Sequence, residues 1–287
     1  MRILLAMDGS ETALGAARFL TRLPLGPETQ ITVVTGVTDT PVGEIDVEVW
    51  MRVRESARQM AGQHYQSALQ QLGGLANQAE HVLAEGHPNR VILDVAKQRD
   101  VDLIVLGARG HSMIARTLLG STSDYVANHA RCPVLVVRPA SVAPNKTGPL
   151  RIVLAYDGSA GSKVAAQQLF AFPWSAQTQV QITTLLERPH LLADEEIYDA
   201  QAIASGEQSL KQLVDGASCS ANISYRVRET THVGDSLAHL ADEELGDLIV
   251  VGETGRSALA QFFLGSAARH ILHHSVASVW IARNKKW

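Results

Sequence analysis

Short runs of uninterrupted apolar residues alternate along this chain with longer amphipathic stretches. "ILLAM" (Ile3–Met7) and, within "DLIVLG", "LIVLG" (Leu103–Gly107) have no polar member on either face, which predicts strands buried on both sides. Between them, "SETALGAARFL" places Ala13, Ala17 and Leu20 on one helical face, and "NRVILDVAKQRD" does the same with Val91, Ile92, Val95 and Ala96. "TQITVVTGV", "EHVLAEG" and "PVLVVRP" read as further strands. "ESARQMAGQHYQSALQQL" and "STSDYVANHA" read as further helices. Strands without polar alternation, separated by helices, imply a parallel sheet covered on both faces.

The series then runs a second time. "RILLAMDGS" (Arg2–Ser10) returns as "RIVLAYDGS" (Arg151–Ser159). "DLIVLGARGHSMIARTLLGS" (Asp102–Ser121) returns as "DLIVVGETGRSALAQFFLGS" (Asp247–Ser266). The stretch "RPASVAPNKTGPL" between the copies is rich in Pro, Gly and small polar residues and reads as a linker. The chain therefore divides into domains over 1–145 and 149–287, each of ordinary domain size. A net charge of −4 argues against nucleic acid or an anionic membrane as partner, and no apolar run is of membrane-spanning length. Two cysteines in unrelated contexts, Cys132 and Cys219, make no disulfide framework and suit a reducing cytoplasm.

The candidate chemistry lies at strand ends. Gly107 and Gly110 stand just past one strand, where open α/β sheets bind ligands. Glycine there lets backbone approach a ligand, and successive N–H groups trap an anion. Gly120 and Ser121 open a helix, whose free N–H groups and dipole favour an anion as well. Ser121 also heads a capping box with Asp124, which would justify the serine without any ligand. The same frame, with identical spacing, recurs at Gly252, Gly255, Gly265 and Ser266. Asp8 and Asp157 each follow a strand and precede Gly-Ser. They suit a ribose, and equally a turn with Ser10 as helix cap. There is no P-loop lysine motif and no dinucleotide fingerprint.

These residues resemble the universal stress protein family in its tandem form. Its nucleotide motif is Gly, two residues, Gly, nine residues, Gly, then Ser or Thr, and both halves match it. The "DGS" turns and the Cys132-Pro133-Val134 entry to a last strand match as well. The resemblance implies two Rossmann-like (adenine nucleotide alpha hydrolase-like) domains. Each would be a five-stranded parallel sheet of order 3-2-1-4-5 with helices on both faces. It implies ATP, with or without Mg2+, at the switch point. Ala6, Asp8, Val37, Gly107, Arg109, Gly110, Gly120, Ser121 and Thr122 would form the first nucleotide site. Ala155, Asp157, Leu186, Gly252, Gly255, Gly265, Ser266 and Ala267 would form the second. Asp8 would hold the ribose, and backbone near Val37 the adenine. It further implies a regulatory stress-response protein of the cytoplasm, with its halves paired as an internal pseudo-dimer through the apolar last strands and a homodimer allowed.

Two departures bear on the site. "GHP" (Gly86–Pro88) has "THV" (Thr231–Val233) as its counterpart. "GARG" carries Arg109, whereas "GETG" carries Glu253, whose charge beside a triphosphate predicts weaker binding in the second half. No nucleophile–base pair stands out, so no enzyme is expected beyond slow ATP hydrolysis. The alternatives are an ATP-pyrophosphatase or nucleotidyl-transfer enzyme and a nucleotide-free scaffold. His270, His273 and His274 have no carboxylate or cysteine at ligand spacing, so no metal site is expected. Trp50, with "GEIDVEVW", falls between strand two and helix two, as a lid or partner surface.

Overall fold

A computed structural model of the chain describes residues 1–37, 47–109, 119–143, 146, 148–188, 200–243, 246–255 and 264–286. The chain divides into two compact units. The first comprises Met1–Val142 with Lys285–Trp287, the second Ala143–Asn284. The division falls near the linker expected between 145 and 149, and an ion pair is found on each side of it. Lys146 Nζ lies 2.9 Å from Asp247, within the second unit. Lys285 Nζ lies 2.7 Å from Asp100 and 2.9 Å from Asp102, within the first.

The first unit runs β1 (Arg2–Ala6), α1 (Glu11–Leu20), β2 (Gln30–Val37), α2 (Val47–Leu72), β3 (Ala79–Glu85), α3 (Pro88–Gln98), β4 (Leu103–Gly107), α4 (Ser121–His129) and β5 (Val134–Val137). Its strands are parallel in the order β3-β2-β1-β4-β5. The second unit repeats the plan with β6 (Arg151–Ala155), α5 (Ala160–Phe170), β7 (Gln179–Glu187), α6 (Ala200–Asp215), β8 (Asn222–Thr230), α7 (Val233–Glu243), β9 (Leu248–Gly252), α8 (Ser266–His274) and β10 (Ser278–Ala282). The order is β8-β7-β6-β9-β10, again parallel. Both units have the 3-2-1-4-5 order expected of them.

The apolar runs do what they predict. Ile3, Leu4 and Leu5 of β1 and Leu103, Ile104 and Val105 of β4 are fully buried, as are Ala17 and Leu20 on the sheet-facing side of α1. In each unit the first strand pairs with the second on one side and the fourth on the other: Leu4 lies between Thr32 and Ile104, and Val153 between Gln181 and Ile249. The chain leaves the first strand for one face and the fourth for the other, so a crevice opens at their carboxyl ends. Trp50 belongs to α2, not to the connection before it; its ring stacks under the Arg54 guanidinium at 5.0 Å. No described helix is long and apolar enough to cross a membrane.

Candidate functional site

The crevice is built from turns that the sequence dictates locally. After β1, Gly9 takes φ 78°, and after β6, Gly158 takes the same value, a region that favours glycine. The reversal lets Asp8 Oδ1 accept from the Ser10 amide at 2.9 Å, and Asp157 Oδ1 accept from the Ser159 amide at 3.0 Å. Each serine then caps its helix: Ser10 accepts from the Ala13 amide and Ser159 from the Ser162 amide, both at 3.2 Å. The turn-and-cap reading of "DGS" holds in both halves. Asp157 Oδ2 lies 3.2 Å from where a side chain on Gly255 would begin.

The glycines divide by role. A Cβ on Gly107 would fall 2.5 Å from the Thr12 carbonyl carbon, and one on Gly252 would fall 2.3 Å from that of Gly161. The first glycine of each motif therefore admits the start of α1 or α5 against the strand end, rather than a ligand. The third glycine closes the loop. Gly120 N–H donates to the Ala108 carbonyl at 2.7 Å, and Gly265 N–H to the Glu253 carbonyl at 2.8 Å. Gly120 and Gly265 are also the N-caps of α4 and α8, with no side-chain hydrogen bond at either cap. Ser121 thus stands one position inside the helix, and the expected capping box with Asp124 does not form. Glycine brings no side-chain acceptor of its own to the first-turn amides of either helix, which suits an anion.

In the second unit these parts enclose a cavity of about 790 Å³. Ala155, Asp157, Leu186, Gly252, Gly255, Gly265, Ser266 and Ala267, all singled out from the sequence, line it together. The volume is in the range of small-molecule sites. Sequence reasoning missed Thr183, His232 and His270, which line the same cavity. Thr183 is 1% exposed, and its hydroxyl has no hydrogen-bond partner among the described residues. In the first unit, Ala6, Val37 and Gly107 end β1, β2 and β4, while Gly120, Ser121 and Thr122 stand at the start of α4. Asp8 and Arg109 lie in the turns between; Gly110 lies outside the described residues. The Val37 carbonyl already accepts from the Gly86 amide at 2.9 Å, which limits its use towards a base.

Two comparisons of the halves need correction. Ala108 and Glu253 each follow the first glycine, and their amides donate to Val137 and Ala282. Glu253 therefore matches Ala108, and Arg109 matches Thr254. Glu253 is not among the residues lining the cavity; its carboxylate faces Arg283 at 3.7 Å. The expected repulsion between Glu253 and a bound phosphate loses its basis. The "GHP" and "THV" turns differ in backbone, since Gly86 takes φ 135° and Thr231 has no positive φ, but they share the role of the histidine. His87 Nδ1 accepts from the Asn89 amide at 3.4 Å, and His232 Nδ1 from the Asp235 amide at 3.1 Å. The histidine, common to both turns, ties down the helix start.

Matches to known proteins agree with this architecture. The model of the universal stress protein family matches residues 1–138 and again 150–283. The universal stress protein YxiE of Bacillus subtilis is 33% identical over 150 residues, 48% of this chain and 98% of its own length. A universal stress protein of Mycobacterium tuberculosis is 27% identical over 245 residues, 79% of this chain and 73% of its own. The crystal structure of a universal stress protein from Archaeoglobus fulgidus shares the fold, with a TM-score of 0.68 at 17% identity, covering 99% of this chain and 97% of that one. The chain therefore belongs to the universal stress protein family, with one family domain in each half, a membership that supports a role in stress response.

Proposed function

We propose that this protein binds ATP at the carboxyl end of each sheet and acts as a nucleotide-dependent regulator. The observation that carries the reading is the cavity of the second unit, where sequence-flagged residues from four segments meet at the carboxyl ends of the strands. Asp157 suits the ribose hydroxyls, and backbone beside Leu186 the base. The amides of Ser266 and Ala267, with the backbone at Gly255, suit the phosphates. Asp8, Ser121, Thr122 and the backbone at Val37 are proposed for the same tasks in the first unit, with Arg109 reaching the phosphates. Mg2+ would accompany the triphosphate as a counter-charge. Occupancy shifts the protein between states that differ in partner binding, by as much as ATP distinguishes them. A cytoplasmic setting fits the two free cysteines. Pairing of the halves, and of two chains, is proposed from the apolar last strands of the sequence alone.

The test is direct. Purified protein is denatured and the released small molecules are identified by mass spectrometry, and emptied protein is titrated with ATP by calorimetry. ATP released, or bound in a manner that Asp8→Ala and Asp157→Ala together abolish, supports the reading. No release and no binding heat with folded protein would leave it without support.

A further inference from the structure

Adding 145 to a residue number carries one copy of the late repeat onto the other: Asp102 onto Asp247, Ser121 onto Ser266. The same step carries His87 onto His232, Arg90 onto Asp235 and Tyr125 onto His270. The histidine cap is common to both halves, and the two residues facing it are not. In the second unit the pair arginine and tyrosine has become aspartate and histidine. Sequence spacing hides this, because Asp235 and His270 are far apart along the chain and meet only where α7 packs beside α8.

The packing gathers three groups of metal-ligand type. One nitrogen of each imidazole and one oxygen of Asp235 lie within 4.8 Å of one another. His270 Nε2 is 2.6 Å from Asp235 Oδ1, yet no hydrogen bond satisfies that nitrogen. His232 Nδ1 is 3.1 Å from Asp235 Oδ2, and its lone pair already accepts the Asp235 amide. With Nδ1 an acceptor, no proton stands between it and the carboxylate. The Asp235 carboxylate thus meets an Nδ1 whose lone pair points to the Asp235 amide and an Nε2 that makes no hydrogen bond, an arrangement that a cation would satisfy. Gly234 makes room for the His270 ring, since a Cβ there would fall 2.6 Å from His270 Cγ. The counterpart of Gly234 in the first unit is Asn89.

We propose that His232, Asp235 and His270 bind a divalent transition-metal ion of the zinc type at the wall of the second cavity. Two imidazoles and one carboxylate are a donor set that suits Zn2+, Co2+ or Ni2+ over the all-oxygen preference of Mg2+. At His232 the ion replaces the cap: the Nδ1 lone pair passes from the Asp235 amide to the metal. Three protein ligands leave at least one coordination position, and because His232 and His270 line the cavity it faces that space. The ion site goes beyond the nucleotide reading and does not depend on it.

The experiment uses the full chain, stripped with chelator and titrated with Zn2+ and with Co2+ in the absence of nucleotide. The expected result is one ion per chain, with Co2+ showing a visible ligand-field spectrum of nitrogen and oxygen ligands. His270→Gln and Asp235→Asn are expected to weaken binding at least ~10-fold, the scale on which metal sites respond even to supporting residues. His87→Gln, at the same place in the first unit, leaves it unchanged. The double variant Asp235→Arg with His270→Tyr installs the first unit's own side chains in the same frame, and thermal unfolding confirms that it folds. Absence of binding to the wild-type chain overturns the proposal. So does undiminished stoichiometric binding by the folded double variant, or equal loss in His87→Gln. None of these outcomes bears on whether ATP binds.

Discussion

Glu253 Oε2 stands 3.7 Å from Nε of Arg283, a guanidinium whose side chain is only 5% exposed. The corresponding residues of the first unit are Ala108 and Arg138, so the second unit sets a carboxylate beside a buried cation where the first has a methyl group. Removing one partner of a buried pair strands the other, at a cost of roughly 3–5 kcal/mol in a fully buried site. Glu253 keeps some solvent contact, so Glu253→Ala is expected to cost about 1–3 kcal/mol. Urea unfolding of the whole chain checks it. ATP affinity should stay within a few-fold of wild type; a marked gain in affinity with unchanged stability would restore the repulsion first expected of this residue.

The glycines of the second motif should separate packing from binding. Gly252→Ala drives a Cβ to within 2.3 Å of the Gly161 carbonyl carbon, and α5 must move. Overpacking of this kind costs roughly 1–3 kcal/mol or more. Gly265→Ala meets its neighbours at 3.4 Å or beyond and has a φ of −59° that any residue accepts. It should lose under about 1 kcal/mol, the scale of an exchanged helix cap. Its backbone sits against the proposed phosphate position, so ATP affinity of this site is expected to fall about tenfold. Folded Gly265→Ala with wild-type ATP affinity would confine these glycines to the turn.

How far the sequence was legible follows from such pairs. The parallel, doubly covered sheet was readable because uninterrupted apolar runs fit it and the repeat doubles every signal; its 3-2-1-4-5 order came from the family resemblance, since apolar runs carry no order. The "DGS" turns were readable because their cap and their aspartate are set within three residues. The cap of α4 was not, since glycine and serine both suit that position and the backbone torsion chooses Gly120. The Arg109–Glu253 comparison failed through a slip of one position. Counting from the shared Asp-Leu-Ile-Val matches Arg109 with Thr254. His232, Asp235 and His270 had no local signature, because their meeting depends on packing between helices. Thr183 carries no signal beyond being a strand threonine; its unsatisfied hydroxyl exists only in the folded wall.

His81 provides a pH dependence with a definite sign. Its ring stacks on Tyr65 at 4.7 Å, its Nε2 lies 3.2 Å from the Thr35 hydroxyl, and burial lowers its pKa below the ordinary histidine value. The folded state thus favours the neutral ring, while the unfolded chain takes up a proton near pH ~6.5. Stability is full above that value and is lost as pH falls from it through the folded pKa. Urea midpoints measured between neutral and mildly acidic pH should decline, and His81→Phe, which keeps the stacking, should reduce that slope. An equal slope in the variant would assign the decline to other groups.

The two proposed nucleotide sites should still be unequal, for a reason that the corrected alignment supplies. Arg109 and Thr254 hold the same place between the glycines. The Arg109 carbonyl is tied to the Thr12 hydroxyl, which fixes the backbone from which its side chain departs. Its guanidinium is close enough to act on Arg138, which burial and then the Arg109 charge push down to about 10. Two cations near one another gain from an anion taken up beside the more accessible one, and Arg109 is the less buried of the two. Thr254 offers a hydroxyl and no charge. A charge contact open to solvent contributes on the order of 1 kcal/mol, so the first site should bind ATP about fivefold to tenfold more tightly. Titrating Asp157→Ala reads the first site and titrating Asp8→Ala reads the second, both without added metal. Adding Arg109→Ala to the former should remove the advantage, and adding Thr254→Arg to the latter should recover part of it. The advantage should also shrink as salt is raised, since screening weakens exposed charges. Equal affinities at low salt, or an advantage that survives Arg109→Ala, would place the asymmetry elsewhere than at this position.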